Sequence, residues 1–339
     1  MPDHLPPDHL SMHKPDKPKV IAIVGPTATG KTALSVELAQ WLNTEIISAD
    51  SQIIYRELTL GTAKPSEAEK QGIPHHMIDV AAPNEPFSVA TFQQQASQHL
   101  QSIQDQGKIP IVVGGTGFYL RALLQSDFIP PVPPNEPFRE EMRQLANWLG
   151  SQHLHDLLFA KDAVRAAALH PNDQVRLIRA LEIIEATGLP VPNQPIDKPL
   201  DVLWLGLTYD NRDLLRSRID QRIEQMMAAG WMAEVQHLVN RYGANAHALG
   251  VAHGYPELVD VGLGKRTLPE AISQIQLNIH QYSRRQMTWF RRNLEINWWV
   301  CDASSPDPLR DWAKTKIKNW MSQDLGNIHP RQAIILNPK

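Results

Sequence analysis

The stretch Gly25-Pro26-Thr27-Ala28-Thr29-Gly30-Lys31-Thr32 does most to limit what this chain can fold into. It fits G-x-x-x-x-G-K-[ST] at every fixed position. A β-branched run, Val20 to Val24, precedes it, and Leu34, Leu38 and Leu42 recur behind it at helical spacing. A strand that feeds a helix through such a turn aims backbone N–H groups at a phosphate, and the helix N-terminus adds favourable partial charge. Lys31 supplies a mobile cation for terminal phosphate oxygens, and the hydroxyl of Thr32 suits Mg²⁺. The motif calls for a di- or triphosphate with Mg²⁺. It does not choose which one.

Strands and helices alternate through the first third of the chain. Glu45 to Ser48 reads as a second buried strand ending at Asp50, and Pro65 to Gly72 as polar with a short opening helix. Ser88 to Gln106 reads as an amphipathic helix capped by Ser88 and followed by Gly107. Ile109 to Val113 reads as a third strand stopped by Gly114-Gly115, and Gly117 to Leu124 as another helix. This alternation predicts an α/β fold: a P-loop NTPase-like parallel sheet flanked by helices.

The pattern breaks at Pro130, Pro131, Pro133, Pro134 and Pro137. From Phe138 to Thr187 only helical signals appear, with Asn172 or Asp173 capping a helix through Leu177, Leu181 and Ile184. Strand-like sequence returns at Val202 to Thr208, and one further strand is expected at Ile296 to Val300. The expected organisation is a disordered leader over 1–18 and the first part of the core over 19–129. An all-helical insertion over 130–199 follows, then a mostly helical second part over 200–325 and a tail over 326–339.

Composition removes several function classes. With 33 Lys and Arg against 36 Asp and Glu, a net charge of -3 excludes binding to nucleic acid by bulk charge, though not a local basic patch. One cysteine, Cys301, excludes an internal disulfide framework and a Cys-cluster zinc finger, and fits a cytoplasmic protein. No apolar run approaches the ~18–20 residues of a membrane helix, and the Pro-, Asp- and His-rich start has no signal-peptide core.

An ATPase or GTPase also needs a strand ending in a metal-binding acid and a residue that positions water. The Ile109–Val113 strand ends in Gly114-Gly115-Thr116, with no acid. Asp50 ends the neighbouring strand, where it could hold Mg²⁺ through water, accept a proton from a nucleophile, or simply cap a turn. Thr116 would face the same crevice. His75-His76, with Asp79 nearby, is too thin for a metal site and reads as packing or hydrogen bonding. Arg176 with Arg179, and Arg218 with Arg222, share helix faces that matter only if they border the crevice. Arg284 to Arg292 mixes guanidinium groups with Trp289 and Phe290, a mixture that suits RNA phosphates and splayed bases.

Taken together, these stretches resemble the tRNA dimethylallyltransferases of bacterial type. The likeness runs in order through GPTATGKT (Gly25–Thr32), SADS (Ser48–Ser51), GTAKP (Gly61–Pro65), PHHMID (Pro74–Asp79) and VGGTGFYLRALL (Val113–Leu124). It continues through HPNDQVRLIRALEI (His170–Ile183), RIDQRIEQMMAAGWMAEV (Arg218–Val235) and RRQMTWFR (Arg284–Arg291). The resemblance implies transfer of a dimethylallyl group from its diphosphate to N6 of the adenosine 3′ to the anticodon. The P-loop would then hold dimethylallyl diphosphate rather than ATP, with Mg²⁺ on Thr32. Asp50 would be the general base, Thr116 would position the adenine amine, and Arg222 would contact the diphosphate. The tRNA anticodon stem-loop would meet Asp50, Ser51, Gln52, Ile53 and Thr116. It would also meet Arg139, Val175, Arg176 and Arg179 of the insertion, and Gly254, Tyr255, Arg285, Trp289 and Arg291. A cytoplasmic monomer without an obligate protein partner is the family expectation.

This chain departs from the family pattern in places. Ile53 stands where the family commonly has Gln, and Thr59 where it has Asp. Gly254-Tyr255-Pro256-Glu257 replaces Gly-Tyr-Lys-Glu, with His253 where Ile is usual, and Ile279-His280 replaces Thr-Arg. Three other readings share the P-loop: a prenyltransferase acting on free AMP, ADP or ATP, a small-molecule kinase, and an inactive RNA-binding module. The first has no use for an RNA-gripping insertion. The second would consume ATP, and the third would show no turnover.

Overall fold

The computed structural model describes residues 17–125, 130, 132–192, 198–301 and 307–322. In chain order it begins with β1 (Lys19–Val24), α1 (Lys31–Leu42), β2 (Ile46–Ser48), α2 (Glu67–Lys70) and β3 (His75–His76). α3 (Val89–Asp105), β4 (Ile111–Gly114) and α4 (Gly117–Leu124) follow. Next come α5 (Glu136–Leu149), α6 (Ser151–Lys161), α7 (Ala163–Ala167), α8 (Gln174–Thr187) and β5 (Asp201–Thr208). α9 (Arg212–Ala228), α10 (Trp231–Tyr242), α11 (His247–Val251), α12 (Tyr255–Gly262), α13 (Leu268–Phe290), β6 (Asn297–Val300) and α14 (Asp307–Ser322) complete it.

The six strands form one parallel sheet in the order β3-β2-β4-β1-β5-β6. The fold is α/β, as the alternation predicts. The central strand β1 is apolar throughout after Lys19 because both its faces are covered. Val20, Ala22 and Val24 pack with α3 and α4 through Phe92, Leu100, Leu120 and Leu123. Ile21 and Ile23 point the other way, to Leu34 and Leu38 of α1 and to Ala313, Ile317 and Trp320 of α14. A further helical core joins Ile219, Ile223, Trp231, Tyr255 and Ile275 with Ile54 and Leu58.

The described residues divide into two compact units, one drawn from residues up to 126 and from 198 onward, the other from 127 to 197. The second unit is helical and has its own core, including Leu154, Leu158, Leu177, Leu181 and Ile184. Asp173, not Asn172, caps α8, accepting from the Arg176 N–H. Among the described residues no helix is long and apolar enough to cross a membrane.

Two elements differ from the sequence reading. α14 falls in the part expected to be mostly helical, but no motif marked it as a helix that covers one face of the sheet. His75-His76 is a two-residue edge strand paired with Ile46 and Ile47, too short for alternation to mark it. The leader over 1–18, most of which precedes residue 17, and the tail over 326–339 lie largely or wholly outside the described residues.

Candidate active site

The P-loop joins the buried end of β1 to the first turn of α1. Gly25 has φ 141°, and a Cβ there would come within 2.2 Å of the Leu207 carbonyl oxygen on β5. Gly30 caps α1 at φ 88°, a left-handed position that favours glycine. The loop is braced from within. Thr29 Oγ1 donates to the Pro26 carbonyl at 2.9 Å, and Lys31 Nζ donates to the same oxygen at 2.6 Å.

The carboxyl ends of β2 and β4 lie beside it. Gly114 pairs with Val24 and ends β4 as part of the strand, where a Cβ would sit 2.1 Å from the Ala49 carbonyl oxygen. This close approach draws Asp50 and Thr116 together. The Ser51 N–H donates to Thr116 Oγ1 at 3.0 Å, and the Gln52 N–H to Asp50 Oδ1 at 2.9 Å. Asp50 thus holds a turn through Oδ1, and its side chain also lines the cavity beside the P-loop.

A cavity of about 460 Å³ opens here. Residues Thr27 to Ala33 line it, with Ser48, Asp50, Ile53 and Gly115, and across from them Arg218 and Arg222 of α9. The two arginines that share a helix face thus do border the crevice. Arg218 Nε donates to the Ala28 carbonyl at 3.2 Å. Burial drives the Lys31 ammonium down to about 8, with Asp50 opposing the fall and Arg222 adding to it. Burial likewise lowers Arg222, again against the pull of Asp50. Two partly desolvated cations beside one carboxylate form a socket for a multiply charged anion.

Gln286 is a functional residue the sequence reading passed over. Buried on α13, its Oε1 accepts from the Thr27 N–H at 3.1 Å and its Nε2 donates to the Gly115 carbonyl at 3.0 Å. It clips the P-loop to the β4–α4 turn. The only signal was its place on a stripe with Ser283 and Phe290, both also buried. Tyr282 lies one turn earlier with its hydroxyl near Thr116 and Gln286, and burial, with Asp50 nearby, raises its phenol.

A smaller cavity of about 60 Å³ adjoins the first, sharing Thr27, Ala28, Ala63 and Arg222. Its remaining wall is mainly apolar, from Ile219, Ile223, Met226 and Ile279, with Gln52, His253 and Tyr282.

The other sequence-nominated residues fall into three groups. Arg285 and Arg291 are exposed at the end of α13, and Trp289 is half-buried, its ring 5.3 Å from the Arg121 guanidinium. In the helical unit, Val175 and Arg176 are exposed on α8. Arg139 and Arg179 both bind the buried carboxylate of Glu182, Arg139 through Nε at 2.8 Å and Nη2 at 3.0 Å. Each keeps a partly exposed edge. Tyr255 corrects the expectation of RNA contact. It is fully buried, its hydroxyl donating to Glu234 at 2.7 Å, because Gly61 and Gly254 leave room for the Trp231 ring beside it. That Glu234 also accepts from the N–H groups of Thr59 and Leu60, so it holds the GTAKP loop. His75 bonds the Ile73 carbonyl through Nδ1 at 2.8 Å and lines the cavity, while His76 is a packing residue. His76 bonds Glu45 at 2.7 Å and stacks on His99.

Fold and cavity together define a class: an α/β protein of the P-loop type whose site is built for a phosphorylated substrate. The family model described as IPP transferase matches residues 53–293. A tRNA dimethylallyltransferase of Halalkalibacterium halodurans is 42% identical over 287 residues, covering 83% of this chain and 91% of that protein. Its counterpart in Thermomicrobium roseum is 39% identical over 319 residues, covering 93% and 95%. The crystal structure of a tRNA isopentenylpyrophosphate transferase from Bacillus halodurans is similar at TM-score 0.68 and 38% identity, covering 91% of this chain and 99% of that one. A eukaryotic dimethylallyltransferase captured acting on tRNA is similar at TM-score 0.76 and 27% identity, covering 91% and 80%. The chain belongs to the IPP transferase family and is a prenyltransferase.

Proposed function

We propose that the protein transfers a dimethylallyl group from dimethylallyl diphosphate to N6 of the adenosine 3′ to the anticodon in tRNA, releasing diphosphate. The observation that carries this reading is that one cavity brings Lys31, Arg222 and Asp50 together on its lining. The relatives named for this reaction support it at high coverage.

In this reading the diphosphate lies on the P-loop between Lys31 and Arg222, and the tail enters the smaller apolar cavity. C1 gains positive character as its bond to oxygen breaks. Lys31, Arg222 and the loop N–H groups stabilise the charge growing on the leaving diphosphate. The N6 amine attacks C1 and its proton passes to the Asp50 carboxylate. Thr116, fixed by Ser51, orients the amine. The base must leave its stack to reach this depth, at a cost of roughly a few kcal/mol. Arg285, Trp289 and Arg291 on α13, with Arg139, Val175, Arg176 and Arg179 of the helical unit, are the proposed grip on the anticodon stem-loop. The protein acts as a cytoplasmic monomer.

The residues fit Mg²⁺. Thr32 is exposed in the first turn of α1 and lines the cavity with Ser48 and Asp50. Among the described residues no group of three or more His, Cys, Asp or Glu could hold a metal by themselves. One hydroxyl, one carboxylate and the substrate's phosphates match how Mg²⁺ is usually held. When bound it supplies positive charge to the leaving group.

Nucleoside mass spectrometry tests this. An unmodified tRNA transcript with Mg²⁺ and dimethylallyl diphosphate should gain one C5H8 unit on that adenosine, and with ATP nothing. Asp50→Ala should lower turnover by ~10²–10⁴ while tRNA binding is largely kept. Near-normal turnover in that variant rules out the general base. Gain on free AMP alone favours the free-nucleotide reading.

A further inference from the structure

The small cavity proposed for the tail is mainly apolar, with polar side chains of Thr27, Gln52, Arg222, His253 and Tyr282 at its wall. Ile219, Ile223, Met226 and Ile279 set its character. Beside them His253 presents an imidazole.

His253 is held firmly. Its backbone N–H donates to Gln52 Oε1 at 2.8 Å, and its ring packs on Tyr282 with centroids 4.3 Å apart. Those contacts use the main chain and the ring face. Among the described residues neither ring nitrogen has a hydrogen-bond partner. Gln52, the neighbouring polar side chain, is already engaged by the His253 N–H. Burial lowers the imidazole's proton affinity, against the pull of Asp50, which favours the neutral ring. A neutral imidazole carries one donor and one acceptor. His253 is half-buried, and a wall residue that serves only hydrocarbon has no need of either group.

A hydroxyl is the group that matches both edges, since it donates and accepts. Resting on the prenyl-transfer reading above, we propose that the protein also takes a hydroxylated donor, the five-carbon allylic diphosphate with a hydroxyl on a terminal methyl carbon, and that His253 is the residue that admits it. The reaction at C1 is the same. The C1–oxygen bond breaks, the C1–N6 bond forms, the N6 proton goes to Asp50 and diphosphate leaves. The hydroxyl takes no part and arrives intact on the adenosine. The product is a hydroxylated prenyl-adenosine made in one step, without a later oxidation.

The other residues of the pocket do not offer this. In that reading Arg222 faces the diphosphate, the Tyr282 hydroxyl lies near Thr116 and Gln286, Gln52 is engaged by the His253 N–H, and Met226 and the isoleucines are apolar. Replacing His253 by isoleucine removes the match and leaves a buried hydroxyl without a partner. That penalty corresponds to ~10- to 100-fold in relative use of the two donors.

The test gives the full-length protein an unmodified tRNA transcript with dimethylallyl diphosphate or its terminally hydroxylated analogue. Product nucleosides are read by mass, C5H8 against C5H8O, and kcat/KM is measured for each donor. The wild type should use the hydroxylated donor within about tenfold of the plain one. His253→Ile should lower the ratio of hydroxylated to plain donor by ~10- to 100-fold, and His253→Asn should recover part of it. Because the ratio is taken within one preparation, partial misfolding lowers both rates together and leaves it unmoved. Dimethylallyl transfer by a wild type that makes no C5H8O product overturns the inference, as does an unchanged ratio in His253→Ile. Transfer from neither donor, to tRNA or to AMP, overturns the prenyl-transfer reading as well.

Discussion

Lys31 shows how a single residue ties the site to pH. Its ammonium is pressed down to about 8 by burial, with Asp50 favouring and Arg222 opposing the charge. Below that pH it is a cation ready for phosphate, and above it a neutral amine. Binding of a diphosphate therefore weakens as pH rises through 8, by up to about tenfold per unit while the bound lysine stays charged. Titration calorimetry with dimethylallyl diphosphate between pH 7 and 10 reads this directly, and a flat profile would show that Lys31 carries no binding charge. The stability effect has the opposite sign. Between the folded value near 8 and the ordinary 10.5, the unfolded chain holds a proton the folded protein has lost. The Lys31 contribution to stability therefore rises with pH across that window. The cation was legible in the sequence because the P-loop pattern names it. Its depressed proton affinity was not, because that depends on Asp50 and Arg222, which the chain brings from 19 and 191 positions away.

Elements carry the next level, and α13 shows why part of the site escaped the sequence. Its exposed arginines and Trp289 were visible as an RNA-suited mixture. The opposite face was marked only by the stripe of Ser283, Gln286 and Phe290, and a single glutamine inside an arginine- and aromatic-rich run does not by itself read as buried. Yet Gln286 joins the P-loop to the β4–α4 turn, two segments whose close approach follows only from strand order. The same holds for α14. Ala313, Ile317 and Trp320 keep a helical period, but their partners are Leu34 and Leu38, far away in sequence. By contrast β1, α1, β4 and α4 were readable, since each is an apolar run beside a glycine-bearing turn. Gln286→Leu removes both bonds and leaves the Thr27 N–H and the Gly115 carbonyl unpaired. It should cost ~1–3 kcal/mol of stability and weaken diphosphate binding together. Thermal unfolding and calorimetry on one preparation check this. A lower melting temperature with unchanged diphosphate affinity would make Gln286 a scaffold residue only.

At the scale of the whole molecule, the helical unit and the sheet-bearing unit each have their own core, so their contributions are separable by experiment. The helical unit closes a hydrophobic cluster of its own, its buried members running from Met142 to Ile184, without drawing on the sheet. The points where the chain leaves and rejoins the sheet unit are neighbours, because Leu124, Gln125, Lys198 and Leu200 line one cavity of about 430 Å³. A flexible linker of about six Gly and Ser residues, spanning roughly 13 Å on average, can therefore replace the helical unit. The P-loop, Lys31, Asp50, Thr116, Arg222 and Gln286 all remain in the shortened protein. It should bind dimethylallyl diphosphate within about threefold of the full chain. It should lose tRNA affinity by ~100-fold or more and show a shallower dependence on salt, since each lost phosphate contact removes about one unit of slope. Filter binding across a salt series, beside calorimetry with the diphosphate, reads both. Full tRNA affinity in the shortened protein would move the whole grip to α13. Loss of diphosphate binding would mean that the P-loop depends on the helical unit for its shape, which the independence of the two cores argues against.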